Sequence, residues 1–170
     1  MSLKWIGAIH VIAGCGGMGF LMAWNYSREI AALRQLATAL EFMCCELEYN
    51  LTPLSELCSR VAGQLKGSMK AFFLSLGKEL ESQIAPDAAF CVTAALRSTS
   101  SIPSRAVRIL ETLGGNIGRF DLTGQIKGLQ AALAACQLEL NEMERNRPQR
   151  TRSYQTLGLC AGAALAILFM

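Results

Sequence analysis

Residues 28–49 read REIAALRQLATALEFMCCELEY, and the apolar members Ile30, Leu33, Leu36, Ala37, Leu40, Met43, Cys44 and Leu47 recur at spacings of three and four. At 3.6 residues per turn that rhythm draws one stripe down a helix, whereas a half-buried strand alternates every second residue. Arg28, Glu29, Arg34, Gln35, Glu41 and Glu48 fall largely off the stripe, so the segment is predicted to be an amphipathic helix with one face in a core. The rhythm returns in Ile126, Leu129, Leu133, Cys136, Leu140 and Met143, with Gln130, Gln137, Glu139 and Glu142 mostly outside it. Stripes of this kind are the usual interior of a helical bundle.

The chain between these two helices carries helix signals and no alternating strand pattern. Thr52 and Pro53 look like an N-cap and the first helical residue, followed by the stripe Leu54, Leu57, Val61 and Leu65 and closed by Gly67. A third helix is predicted over 68–84 with Phe72, Phe73, Leu76 and Leu80 inside. Pro86 and Asp87 mark a turn and cap before a short helix over 88–97. Residues 98–104 read as a loop, residues 105–113 as a helix closed by Gly114 and Gly115, and the last helix starts at Asp121 or Thr123. Pro148 is expected to kink or break that last helix. The fold class is therefore all-α, a bundle of about six helices.

The excess of apolar residues lies at the two ends. Residues 5–24 carry no charge and are bracketed by Trp5 and Trp24. About 20 such residues suffice for a helix to cross a ~30 Å hydrocarbon core, with the tryptophans at the interfaces. Lys4 alone makes a weak positive leader, and Met22, Ala23, Trp24, Asn25 and Tyr26 offer no small-x-small cleavage site, so an uncleaved anchor is expected rather than a signal peptide. The second apolar run covers 156–170, where Gly158, Gly162 and Ala166 share a face that could pack on the glycines of the first run, Gly7, Gly14, Gly16, Gly17 and Gly19. The expected layout is an N-terminal anchor over 1–25, a helical domain over 26–153 and a C-terminal transmembrane helix over 154–170. His10, the single histidine, falls in the first run with no acidic partner in either, and suits an interhelical hydrogen bond or a snorkelling position better than a proton relay.

Arg145, Arg147, Arg150 and Arg152 precede the second run and Arg28 and Arg34 follow the first, while Lys4 is the one basic side chain on the outer flanks. The positive-inside rule then places the middle domain in the cytoplasm of a multi-pass membrane protein. The same arginines could touch anionic lipid headgroups.

Several chemistries are disfavoured by composition. A net charge of +3 is too mild to suggest nucleic acid. The seven cysteines form no C-x-x-C pair and are odd in number, which reads as small buried hydrophobes in a reducing compartment rather than as disulfides or a zinc site. No phosphate-binding loop, paired-histidine or nucleophile motif is present. Glu46 and Glu48 point about 200° apart on a helix, so they form no carboxylate pair. Asp121 reads as a helix cap, not a base. The expectation is a non-enzymatic adaptor with no cofactor, metal or small-molecule substrate.

Three ordered segments resemble one family. Glu46-Leu47-Glu48-Tyr49-Asn50-Leu51-Thr52-Pro53-Leu54 is similar to the E-x-x-Y-x-x-T-P-L segment of the stage III sporulation protein AB family. Residues 113–125, LGGNIGRFDLTGQ, resemble its L-G-x-x-L-G-x-x-D-x-x-x-Q segment, and residues 157–162, LGLCAG, its L-G-x-x-A-G tail. Pro148, the Cys44-Cys45 pair and the region from Pro86 to Pro103 depart from the pattern. The resemblance implies an endospore-forming bacterium, the mother-cell membrane facing the forespore, and a channel-like complex related to secretion systems. It further implies a cytoplasmic domain similar to the platform proteins of type II secretion and type IV pili, with a secretion-type ATPase and other membrane subunits as partners. Candidate contacts for such an ATPase are Arg34, Glu41 and Glu48, opposite the core stripe, and Tyr49 of the first motif. The alternative is a membrane-anchored regulatory or sensor adaptor outside any secretion complex.

Overall fold

The computed structural model describes residues 2–50, 52–82, 87–116 and 122–169; the side chains of 2–13, 15, 16, 116, 122, 155, 159, 166, 168 and 169 lie outside the described residues. In chain order the helices are α1 (Ser2–Tyr49), α2 (Leu54–Gln64), α3 (Gly67–Ser82), α4 (Ala88–Ser98), α5 (Ser104–Asn116) and α6 (Leu122–Phe169), and no strand occurs among the described residues. The uncharged run and the amphipathic segment after it are one helix, because nothing between Trp24 and Arg28 is a glycine or proline that would interrupt the backbone ladder. The chain divides into two compact units, Ala31–Asn141 and Met1–Ile30 with Glu142–Met170.

In the unit Ala31–Asn141 the α1 stripe is buried as its spacing requires: Leu33, Leu36, Leu40 and Met43 are fully enclosed and Leu47 nearly so. On α6, Leu129, Ala132 and Cys136 are buried, while Ile126, Leu133 and Leu140 are half-buried. α2 supplies Leu57, Cys58 and Val61, and α3 supplies Met69, Phe72, Phe73 and Leu76. The rings of Phe72 and Phe73 meet edge to face, with centroids 5.2 Å apart at 82°. Burying such a side chain contributes about 1.5–3 kcal/mol. α2 packs on α3, α3 on α4 and α4 on α5, so these helices stack in chain order.

Several local expectations are corrected. Gly67 does not end α2, which stops at Gln64 with Leu65 extended; Gly67, at φ +61°, instead opens α3 in a left-handed conformation that glycine adopts without strain. Gly114 and Gly115 do not close α5, which continues to Asn116. A Cβ on Gly114 would come within 2.9 Å of the Val92 Cβ, so this glycine permits close approach of α4 and α5. Pro148 does not break α6. The Asp87 cap does form, its carboxylate accepting from the Ala89 amide at 3.5 Å. Asp121, the other expected cap, lies outside the described residues.

Within the other unit, Tyr26 is buried and its hydroxyl donates to the Met143 carbonyl at 2.9 Å. A Cβ on Gly19 would lie 2.5 Å from the Tyr154 carbonyl oxygen and 3.6 Å from the Gly158 Cα. Gly162 is buried and Gly158 half-buried, but a Cβ on Gly14 or Gly17 would meet nothing within 4 Å. Of the expected α1 glycines among the described residues, Gly19 allows the close approach, whereas Gly14 and Gly17 do not. No helix is long and apolar enough to cross a membrane among the described residues. The side chains of 5–13, 15 and 16, which make up much of the first apolar run and include His10, lie outside them.

The two α5 glycines should respond oppositely to substitution. Gly114→Val overpacks against Val92 and should cost about 1–3 kcal/mol. Gly115→Ala, with open space around it, should gain about 0.5–1 kcal/mol from helix propensity. Chemical denaturation of the full chain in detergent, followed by circular dichroism, compares them; equal effects would show that α4 and α5 do not approach closely.

Candidate interaction site

The corner between α1 and α2 gathers the first motif. Helical hydrogen bonding persists to Asn50, whose amide donates to the Glu46 carbonyl at 2.9 Å. Thr52 is buried, only 7% exposed, and its hydroxyl donates to Glu46 Oε2 at 3.1 Å. The same oxygen accepts from Arg60 at 3.4 Å, and Arg60 also pairs with Glu56 one turn away at 2.8 Å. Thr52 is therefore not the expected cap of α2. Pro53 occupies the cap position with no side-chain bond to the helix, and the Leu57 amide donates to the Pro53 carbonyl at 2.9 Å. The hydroxyl goes to Glu46 because a half-buried carboxylate needs donors more than a solvated helix end does.

Tyr49 of the same motif lies outside this network and is 78% exposed at the end of α1. Glu41 and Glu48 are also exposed, but each is tied to α6, accepting from Gln137 Nε2 at 3.2 Å and from Gln130 Nε2 at 3.4 Å. Arg34 is exposed, and its carbonyl accepts from Thr38 Oγ1 at 3.1 Å. The next residue, Gln35, accepts from the Lys66 amide at 2.8 Å and so holds the α2–α3 link against α1. The four expected contact residues therefore follow the outer side of α1, with Tyr49 and Glu48 adjacent at its end.

A second surface was not legible in the sequence. Between α5 and α6 a groove of about 260 Å³ is lined by Ile109, Thr112, Gly128, Ala132, Ala135 and Leu138. Its rim carries an ion pair of Arg105 with Glu139, and Arg108 approaches the same carboxylate at 3.6 Å. The available signal was the run of small residues on α6, which reads equally as ordinary helix packing.

The thiols follow their surroundings. Burial pushes Cys58 up to about 12 and Cys136 to about 11, and raises Cys44 and Cys91 as well. The Cys136 Sγ donates to the Leu33 carbonyl at 3.2 Å. These cysteines stay protonated near neutral pH and act as core atoms; a thiolate is the form needed for nucleophilic or metal chemistry. No group of three His, Cys, Asp or Glu side chains suited to a metal occurs among the described residues.

The family model of stage III sporulation protein AB matches residues 4–170. The chain belongs to this family. A stage III sporulation protein AB from Bacillus subtilis (strain 168) is 26% identical over 170 residues, spanning 99% of each chain. A solved structure of a stage III sporulation protein AB has the same fold, with a TM-score of 0.64 over 72% of this chain and 98% of that chain at 22% identity. In this family member, the Glu46 and Thr52 positions of the first motif are occupied in folding, and the Tyr49 position is presented to solvent.

A double-mutant cycle tests that division. Thr52→Val and Glu46→Gln should each destabilise the chain, with a coupling of about 1 kcal/mol between them, typical of a hydrogen bond to a charged group after discounting for solvent. Additive effects would mean that Thr52 and Glu46 act separately.

Proposed function

We propose that this stage III sporulation protein AB family member is a non-enzymatic membrane platform in a secretion-like channel complex between mother cell and forespore. Its family membership supports a sporulation role. The uncharged run over 5–24 and the apolar run over 156–170 support an anchor at each end, with 26–153 between them on the cytoplasmic side of the cell membrane. A platform works by contacts, and the observation that carries the contact reading is Tyr49: an aromatic ring left 78% exposed in a motif whose neighbours are locked together. Tyrosine supplies large contact area with few rotatable bonds and is enriched among residues that dominate binding energy. The partner that best fits this surface is the secretion-type ATPase of the same complex, with the other membrane subunits engaging the apolar helices.

The orientation has a reporter in Cys45, which is exposed, whereas Cys58 and Cys91 are buried and will not report. A membrane-impermeant maleimide should label Cys45 only after the cells are permeabilised; labelling in intact cells would reverse the topology.

Partner recruitment is tested with Tyr49→Ala. The substitution should weaken capture of the ATPase about ten-fold, as loss of an aromatic anchor does, while changing stability by no more than about 0.5 kcal/mol. Undiminished capture by a normally folded variant would move the interface away from the end of α1.

A further inference from the structure

In the unit formed by Met1–Ile30 and Glu142–Met170, Phe20, Ala23, Trp24 and Ser27 of α1 and Thr151 of α6 line a groove of about 330 Å³. Its character changes along its length. Phe20 and Trp24 are 62% and 61% exposed. From Phe20 to Ser27 the helix rises about 10 Å, and the lining passes from Phe20, Ala23 and Trp24 to Ser27, whose hydroxyl donates to the Ala23 carbonyl at 3.2 Å, and Thr151. Arg28 follows on α1, and Arg150 and Arg152 flank Thr151 on α6, all three exposed. A glycerophospholipid has the same order: acyl chain, ester, phosphate.

The charge is uneven, with Glu29 next to Arg28 and Glu142 and Glu144 before the arginines of α6. α1 has no acidic residue from 2 to 27, and α6 has four arginines and no acidic residue from 145 to 169. Arg150 is held in place: its guanidinium lies 5.8 Å from the centroid of the Tyr26 ring, and that buried ring is fixed by the hydrogen bond from its hydroxyl to the Met143 carbonyl. Stacking uses the face of a guanidinium and leaves its N–H edge for an oxyanion. Arg150 has no acidic partner among the described residues.

We propose that this groove binds one anionic phospholipid, the acyl chain against Phe20 and Trp24 and the phosphate at Thr151, the residue next to Arg150. The proposal rests on the membrane reading and adds a discrete, headgroup-selective site to it. The hydrocarbon wall disfavours free phosphate, and the unpaired positive charge favours a net negative headgroup over a zwitterion.

The full chain in a non-ionic detergent is titrated with phosphatidylglycerol and with phosphatidylcholine of the same acyl chains, and bound lipid is counted by native mass spectrometry. Phosphatidylglycerol should be retained in preference to phosphatidylcholine, and millimolar inorganic phosphate should not displace it. Arg150→Gln should weaken retention about five-fold, the usual worth of one interfacial arginine; Arg150→Lys should keep most of it. Thr151→Trp should fill the groove and weaken retention with the charge unchanged, and unaltered circular dichroism controls for folding. Equal retention of the two lipids, displacement by phosphate, or normal binding by both Arg150→Gln and Thr151→Trp would overturn the site. Alkaline washing of cell membranes separates the two levels. A wild-type chain that washes off removes the membrane reading and this site with it; one that stays but fails the lipid test removes only the site.

Discussion

Within Ala31–Asn141 the antiparallel pairing of α1 with α6 is the constraint on which the other helices depend. Glu41 meets Gln137 and Glu48 meets Gln130, so a step of seven along one helix matches a step of seven back along the other. Seven residues are about two turns, which returns the side chains to nearly the same face. Each hydrogen bond is exposed and worth about 0.5–1.5 kcal/mol. The greater stabilisation comes from the stripes between them, with Leu33, Leu36, Leu40, Leu129 and Cys136 removed from water. The polar pairs select the register and the apolar stripes supply the energy. A slip of one residue turns a stripe by about 100° and carries leucines toward solvent.

Once that pair is set, the four shorter helices have little choice. Each packs on the next in the chain, and two glycines mark where backbones come closest: Gly114 against Val92, and Gly77, where a Cβ would lie 3.2 Å from the Ser55 carbonyl oxygen. The corner between α1 and α2 is closed by charge as well as by packing, since Glu46 holds Thr52 and Arg60 together. With both donors on one carboxylate oxygen, the side chain is held in place. Within the same motif Tyr49 is left facing outward, 78% exposed.

The second unit answers to different physics. Its glycines and arginines replace the leucine stripe as the informative residues. Gly19 allows a backbone-to-backbone approach that any Cβ would prevent, while Tyr26 ties α1 to α6 through a buried hydrogen bond. Close approach through small residues is how helices associate where burial from water supplies little drive. The aromatic side chains and the arginines are segregated along the helices, the distribution that a boundary between hydrocarbon and headgroups would favour.

The all-helical class, the core stripe of α1, half of that of α6 and the Asp87 cap were legible in the sequence, because each depends on periodicity or on a bond spanning two or three residues. The three ordered segments also carried the family resemblance. Other features required the fold. Thr52 looked like a cap because threonine before proline usually is one, yet its hydroxyl found Glu46 six residues back across a corner. Gly114 looked like a helix stop, but its role is set by Val92, 22 positions away. Gly14, Gly17 and Gly19 are chemically alike in sequence, and only the phase of α1 against α6 decides which one meets a backbone. The exposure of Tyr49 and the grooves beside Thr112 and Thr151 belong to the same class. Local chemistry determines where a helix forms; which of its polar and small residues acquires a partner depends on groups that only packing brings within reach.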